Sequence, residues 1–455
     1  MEKIAVLPEL DPGFLPAALW NREYRKLAAS LPSHPLAVTV ERANGAVSRF
    51  DTTVLEETPE NADLNLRYIE RLVKFMLWAY GGWRVTVAGA PLAAERLRRM
   101  YSSDGERAFD HAMMGRRIYD RDFTVVGTSY DQAPEPRAVA LKLGGNFAGC
   151  RIGFDLGGSD RKCAAVIDGK VVHSEEVVWD PYFQSDIEYH KAGILDSLRR
   201  AAAKLPRVDA IGGSAAGVYV DNQPRLASLF RGIPEKDFPT KVRPIFQELA
   251  REFPGVPFTV INDGEVTALA GALSMKRNAL LGLAMGTSEA VGYVMPSGNL
   301  TDYLNELAFA PVDYREKDAP CDEWSQDKGV GANYLSQQAV GRLAPVAGFE
   351  FPAGTPLPEQ LKMVQSAMAA GDERAAKIYR SVGVYLGYAA AHYSDFYKME
   401  NLLLLGRVSS GEGGSLIIAE AKHVLATVFP ELHIEFLLPD ETFKRHGQAV
   451  IAATW

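Results

Sequence analysis

Residues 151–168 read RIGFDLGGSDRKCAAVID, and the fold turns on how they are read. An apolar run, Ile152–Phe154, delivers Asp155; Leu156-Gly157-Gly158-Ser159 reverses the chain; a second run, Cys163–Ile167, leads away. This predicts a β-hairpin with a polar tip. Two adjacent glycines permit positive φ and a close backbone approach to a ligand, while Ser159 and the exposed amides can donate to an anion. Asp155, at the strand end, suits a hydrated magnesium ion. Alone, such a tip is equally well an ordinary turn.

Three further segments follow in order. Phe258–Ala272, FTVINDGEVTALAGA, is an apolar run ending in Asn262-Asp263 before an Ala/Leu helix. Leu280–Val294, LLGLAMGTSEAVGYV, is a strand ending in Gly286-Thr287-Ser288, a second phosphate-type turn. Asn401–Ser415, NLLLLGRVSSGEGGS, is a run of leucines breaking into a Gly/Ser-rich turn and then a helix.

Taken in this order, the four segments resemble the sugar kinases of the ROK family, within the fold shared by actin, hexokinase and the heat-shock chaperone ATPases. The resemblance covers roughly residues 151–455. It implies an α/β, two-lobed actin/hexokinase-like, ribonuclease-H-type fold carrying an extra N-terminal α/β segment. It also implies that two βββαβα-type halves close around a nucleotide, so that the tips at Gly158 and Gly286 face each other across a cleft. The family's Asp-x-Gly-Gly-Thr hairpin is matched by Asp155, Gly157, Gly158 and Ser159, with Lys162 following. The Asn-Asp pair is matched by Asn262 and Asp263, Asp263 standing where the family has its catalytic base. Gly286 and Thr287 match the Gly-Thr-Gly turn, with Ser288 in place of its last glycine. The adenosine segment resembles Gly406–Ser409, including Val408 and Ser409, together with Gly411, Gly413 and Gly414.

Two departures accompany the matches. Family members carry Gly-Glu-x-Gly-His and then a cysteine-rich zinc loop; here Asn305-Glu306-Leu307-Ala308-Phe309 keeps the glutamate and replaces the histidine by Phe309. The following APCDEWSQDKGVGANYLS holds only Cys321, too few soft ligands for a tetrahedral zinc, so no zinc is expected. The family's sugar-contacting glutamate would fall near Ala332, which makes plain glucose a poor expected substrate.

The 455 residues are 47% hydrophobic and 23% charged, which provides for two or three domains with cores. The net charge of −8 attracts neither nucleic acid nor an anionic membrane. Cys150, Cys163 and Cys321 lack metal spacing; they read as small buried hydrophobes of a protein in a reducing compartment, expected to be cytoplasmic. The start lacks a signal-peptide pattern, and no 18-residue apolar run occurs. A homodimer is left open.

The expected organisation is an N-terminal α/β extension over 1–137, a first kinase lobe over 138–272 and a second over 273–455. Residues 1–35 read as irregular, with a helical patch at Asn21–Ser30. A hairpin, Leu36–Val40 and Val47–Val54, turns at Asn44-Gly45; Asn61 is placed to cap a helix over Ala62–Tyr80, ended by Gly81-Gly82; the strand Arg84–Ala88 follows. The order of hairpin, helix and strand echoes the later hairpin 151–178, helix 187–204 and strand 208–213, so a degenerate copy of half the kinase core is one reading. With 18 basic and 19 acidic residues over 1–137, this end lacks the basic helix-turn-helix of ROK repressors. The loop after strand 208–212 brings Ser214 as a candidate sugar contact. Arg231, in LASLFRGI, would suit a substrate carrying phosphate or carboxylate, or is a plain surface pair. Asp302–Asp327 reads as a cleft-lining insertion of mixed charge. Two helices are expected over 358–400, the second at Ala376–Tyr397, with His392 buried and structural.

Phosphoryl transfer asks for positioning and charge neutralisation. ATP and Mg2+ are the expected co-substrate and cofactor, with Asp155 holding the metal through water. Asp263 would accept the proton of a sugar hydroxyl while Asn262 and Glu306 hold neighbouring hydroxyls. Asp263 also reads as a helix N-cap. The alternative function is a non-catalytic nucleotide- or sugar-binding regulator; an ATPase driving a partner would tolerate the same turns.

Overall fold

The computed structural model describes residues 4–141, 145–439 and 448–454, and the chain is mixed α/β. Its contacts divide into two units. One takes the residues up to Val139 with Leu283–Val291 and Asp302–Leu438; the other takes Ala140–Gly282 with Gly292–Thr301 and the residues from Pro439 on.

In the unit that holds the opening motif, Cys150–Leu156, Asp160–Ile167 and Lys170–Val178 form an antiparallel meander. Helix Ile187–Ala202 follows, and Ala210–Ala215 returns parallel to the first strand. Phe258–Asn262 adds in parallel beyond it. The sheet order is Phe258–Asn262, Ala210–Ala215, Cys150–Leu156, Asp160–Ile167, Lys170–Val178, the expected βββαβα topology. The central strand is buried at every position, whereas the edge strand Lys170–Val178 alternates with solvent. One face carries Ile152, Phe154, Leu198, Ile211 and Phe246; truncating a buried ring such as Phe154 costs about 3–5 kcal/mol. The other face receives helix Gln448–Ala452 so closely that a side chain at Gly153 would land on the Ala449 carbonyl.

In the other unit, helix Ala62–Tyr80 is buried on nearly every side, Glu70, Arg71 and Lys74 included, and not only along its apolar stripe. Gly81 ends it at φ 77° as expected. Asn61 stands at the N-cap position, but its side chain makes no cap; its amide donates to the Glu56 carbonyl at 3.0 Å instead. The first helix begins at Ala17, earlier than the helical patch suggested.

The N-terminal sheet runs Val47–Leu55, Ser33–Glu41, Arg84–Ala88, Thr124–Thr128. Arg84–Ala88 is antiparallel to Ser33–Glu41, whereas Ala210–Ala215 is parallel to Cys150–Leu156, so this segment does not repeat the later half strand for strand. The reason is parity: two hairpin strands and one helix return the chain in the opposite sense to three strands and one helix.

The Asp302–Asp327 insertion is not a free loop. Asp302 pairs with Arg42 at 2.9 Å, Asp313 accepts from the Leu15 amide at 3.1 Å, and Asp327 meets Lys74 at 3.1 Å and Arg107 at 2.8 Å. Burial alone would raise the Asp327 carboxyl, but Lys74, Arg71 and Arg107 outweigh it and hold the group far below the carboxylate range. Lys74 also bridges both oxygens of Asp110, at 2.7 and 2.9 Å, and Trp78 donates to the same carboxylate at 2.6 Å. Cys321 is exposed, unlike the buried Cys150 and Cys163, so it is not a core hydrophobe. His392 is buried edge-on to Phe75, and burial brings its pKa down to about 3, neutral as a structural residue should be. Its helix spans Glu373–Tyr393. Among the described residues no helix is long and apolar enough to cross a membrane.

Candidate functional site

Three parallel strands end at one level. Asp155 pairs in register with Ser214, Ser214 with Ile261, and Ala215 with Asn262. The carboxyl ends of parallel strands are where α/β sheets bind ligands, and this edge gathers Asp155, Ser214, Asn262 and Asp263.

Asn262 is the N-cap of helix Asp263–Met275: its Oδ1 accepts from the Gly264 amide at 2.7 Å and its Nδ2 donates to the Gly217 carbonyl at 2.7 Å. The capping expected of Asp263 therefore falls to Asn262, whose amide is engaged at both ends in tying the 213–217 loop to the helix. Asp263 is the first helical residue, half-buried, with one oxygen accepting from Gly264 at 3.0 Å. Desolvation pushes its carboxyl above the usual range against that bond. Burial takes Asp155 up to about 6; Ser214 and Lys162 pull it down, Asp263 and Asp160 add to the rise. The buried Ser214 hydroxyl lies beside the Asp155 carboxylate without reaching hydrogen-bond geometry.

Lys162 is the cross-strand partner of Asp155, but its ammonium reaches Asp160 at 3.0 Å. Ser159 also donates to Asp160, at 2.7 Å. Asp160, engaged by Lys162 and Ser159, and Asp263, on the neighbouring helix, both act on Asp155 through space, and among the described residues no group of three or more acidic, histidine or cysteine side chains gathers as a metal site.

Gly157 and Gly158 do not adopt positive φ. Their glycine requirement is room: a side chain at Gly158 would land on the Tyr182 ring, and one at Gly157 would come within 3.1 Å of the Asp160 carbonyl. Trp179 fastens the turn, its indole donating to the Gly157 carbonyl at 2.8 Å and its amide to Ser159 at 3.1 Å. Arg231 is exposed and stacks over Tyr182, 4.0 Å from the ring centroid. Neither Trp179 nor Tyr182 stood out in the sequence as a site residue.

The other candidates lie in the other unit. Gly286 closes the second turn through its amide to Ser288 at 3.0 Å, leaving Thr287 and Ser288 exposed. The adenosine-type segment meets the same strand end: the Val408 amide donates to Met285 at 3.2 Å, and Gly406, at φ 91°, packs on the Met285 carbonyl. Ser409 donates back to Gly406 at 3.0 Å. The Glu306 amide is held by the Trp78 carbonyl at 2.9 Å, so the N-terminal helix positions it. Phe309 packs on Trp78 at 4.5 Å and Trp324 at 5.2 Å, filling with aromatic core the place of the family's histidine. Ala332 is buried. Unforeseen in sequence, Glu289 is buried here with Oε1 accepting from Tyr393 at 3.0 Å and Oε2 unpartnered.

No family model matches the sequence, and no curated protein matches it. Solved structures do. The ROK hexokinase of Thermus thermophilus matches with a TM-score of 0.52 and 18% identity over 67% of this chain and 97% of that one. A ROK family transcriptional regulator, a homologue of the E. coli MLC protein, gives 0.51 and 18% over 68% and 78%. A ROK family protein from Streptococcus pneumoniae, in complex with sucrose, gives 0.50 and 11% over 67% and 97%. The chain has the fold of the ROK sugar kinases.

Proposed function

We propose that this chain is an ATP-dependent carbohydrate kinase that transfers the γ-phosphate to a sugar hydroxyl, with Asp263 as general base. The observation that carries the reading is the division of labour at Asn262-Asp263: Asn262 caps the helix, which leaves the Asp263 carboxyl, raised by desolvation, for proton transfer beside Asp155. As the sugar oxygen bonds to the γ-phosphorus and the bond to the β-phosphate oxygen breaks, Asp263 takes the hydroxyl proton and ADP leaves. Asp155 would hold Mg2+ through water, and the metal would supply charge neutralisation at the phosphates. Gly157, Gly158, Ser159 and Lys162 are assigned to nucleotide phosphate. By sequence pattern, so are Gly286, Thr287 and Ser288, with Gly406, Val408 and Ser409 assigned to adenosine. Ser214, Arg231, Asn262 and Glu306 are assigned to the acceptor. The three free cysteines suit a reducing, cytoplasmic setting.

The second reading is a regulator that binds without turnover, favoured by Phe309 packed into aromatic core and by buried Ala332. Asp263→Asn keeps size and removes the proton acceptor, so turnover should fall roughly 10²–10⁴-fold with nucleotide binding intact. The assay is ADP release across hexoses, acylated amino sugars and phosphosugars. If no sugar stimulates release yet ligands raise Tm, the regulator reading stands.

A further inference from the structure

Residues 179–184 are locked between the Gly157–Ser159 turn and the segment bearing Arg231. Trp179 makes two hydrogen bonds to the turn, and Tyr182 fills the space against Gly158 that a side chain would need. His190, fully buried, places Nε2 3.0 Å from the Pro181 carbonyl and 3.0 Å from the Leu229 carbonyl. With two carbonyl acceptors, that nitrogen carries the hydrogen and donates to both. One imidazole thus staples the segment bearing Tyr182 to the segment bearing Arg231. Gly232 completes the fit, because a side chain there would come within 2.5 Å of the Gln184 carbonyl.

The product is an exposed guanidinium held over Tyr182, at 4.0 Å, and Phe183, at 5.1 Å. Phe183 is itself 75% exposed, an aromatic left at the surface where burial would otherwise be favoured. Among the described residues no carboxylate pairs with Arg231. A guanidinium stacked by its face keeps its N–H edge for a planar, two-point grip on an oxyanion.

We propose that Arg231 is an anion-binding residue of the Gly157–Ser159 site, taking a terminal phosphate or carboxylate of the ligand held there. The anion comes either from the nucleotide's terminal phosphate or from an acidic or phosphorylated sugar acceptor. The inference rests on the kinase reading for the identity of its ligands, but not for the grip itself.

The test uses the full chain as wild type, Arg231→Ala and Arg231→Lys, titrated calorimetrically with pyrophosphate, ADP, a non-hydrolysable ATP analogue, a hexose phosphate, a uronic acid and a neutral hexose. Arg231→Ala should keep the wild-type melting temperature and bind at least one anionic ligand roughly 10–100-fold more weakly. Lysine should restore only part, since it lacks the fork. Weakening confined to pyrophosphate and the ATP analogue assigns the nucleotide; weakening confined to the hexose phosphate or uronate assigns the acceptor. Neutral hexose should bind all three proteins alike. The inference is overturned if wild type binds none of the anions, or if Arg231→Ala binds each with wild-type affinity. The kinase reading fails separately, by absence of sugar-stimulated ADP release, whatever Arg231 does.

Discussion

Replacing Glu289 by glutamine should change how the protein's stability depends on pH. The carboxyl is 3% exposed, and burial pushes its pKa from 4.5 to about 8, with Tyr393 pulling the other way and Glu306 adding to the rise. The native state therefore holds a proton that the unfolded chain releases above 4.5. Stability is full at low pH, falls as pH rises through this window, and levels off above 8. At about 1.36 kcal/mol per unit, the whole displacement is worth about 5 kcal/mol, and the part developed by pH 7 about 3 kcal/mol. Glutamine cannot titrate, and its carbonyl still accepts from Tyr393. Urea unfolding followed by tryptophan fluorescence at pH 5, 6, 7 and 8 should show the variant gaining on wild type by about 2–3 kcal/mol between pH 5 and 7. Parallel stability curves for the two proteins would refute the reasoning, because they would mean that Glu289 titrates alike folded and unfolded.

Lys74→Met leaves the Asp110 and Asp327 carboxylates buried without their shared ammonium and should cost about 3–5 kcal/mol, read as a lowered denaturation midpoint. Asn262→Ala removes both the cap and the tie to Gly217, so stability should drop by about 1–2 kcal/mol, whereas Asp263→Asn should leave the melting temperature nearly unchanged. The contrast separates the structural from the chemical member of the pair.

Local pattern exposed what local forces build. Arg84–Ala88, the 151–167 hairpin and the Asn262 strand end were readable because alternation, turn glycines and capping residues act over a few positions. What escaped depends on distant partners. Helix Ala62–Tyr80 displays an apolar stripe, yet Glu70, Arg71 and Lys74 on its other faces are buried because Arg107, Asp110 and Asp327 come to meet them. No window of sequence contains that meeting. The Gly157-Gly158 pair was noticed for backbone freedom, whereas the structure needs Gly158 to leave room for the Tyr182 ring, which lies far along the sequence. Asp263 stood out as base and cap alike, and only the 2.7 Å bond from Gly264 to Asn262 divides the roles.

The make-up of the unit that begins the chain has a consequence for synthesis. Its N-terminal 139 residues share a core with residues as late as Leu438. At roughly 5–20 residues per second, the ribosome delivers the missing part some 15–60 s after the first part has emerged. For about the first 10–40 s of that delay, until chain growth passes residue 342, Lys74 lacks Asp327, Asp11 lacks Arg315 and Arg342, and the aromatic wall around Trp78 lacks Phe309. The nascent amino-terminal third therefore waits, incomplete, for residues made much later, whereas the five-stranded sheet within Ala140–Gly282 is contiguous in sequence and lacks chiefly the helix Gln448–Ala452 on one face.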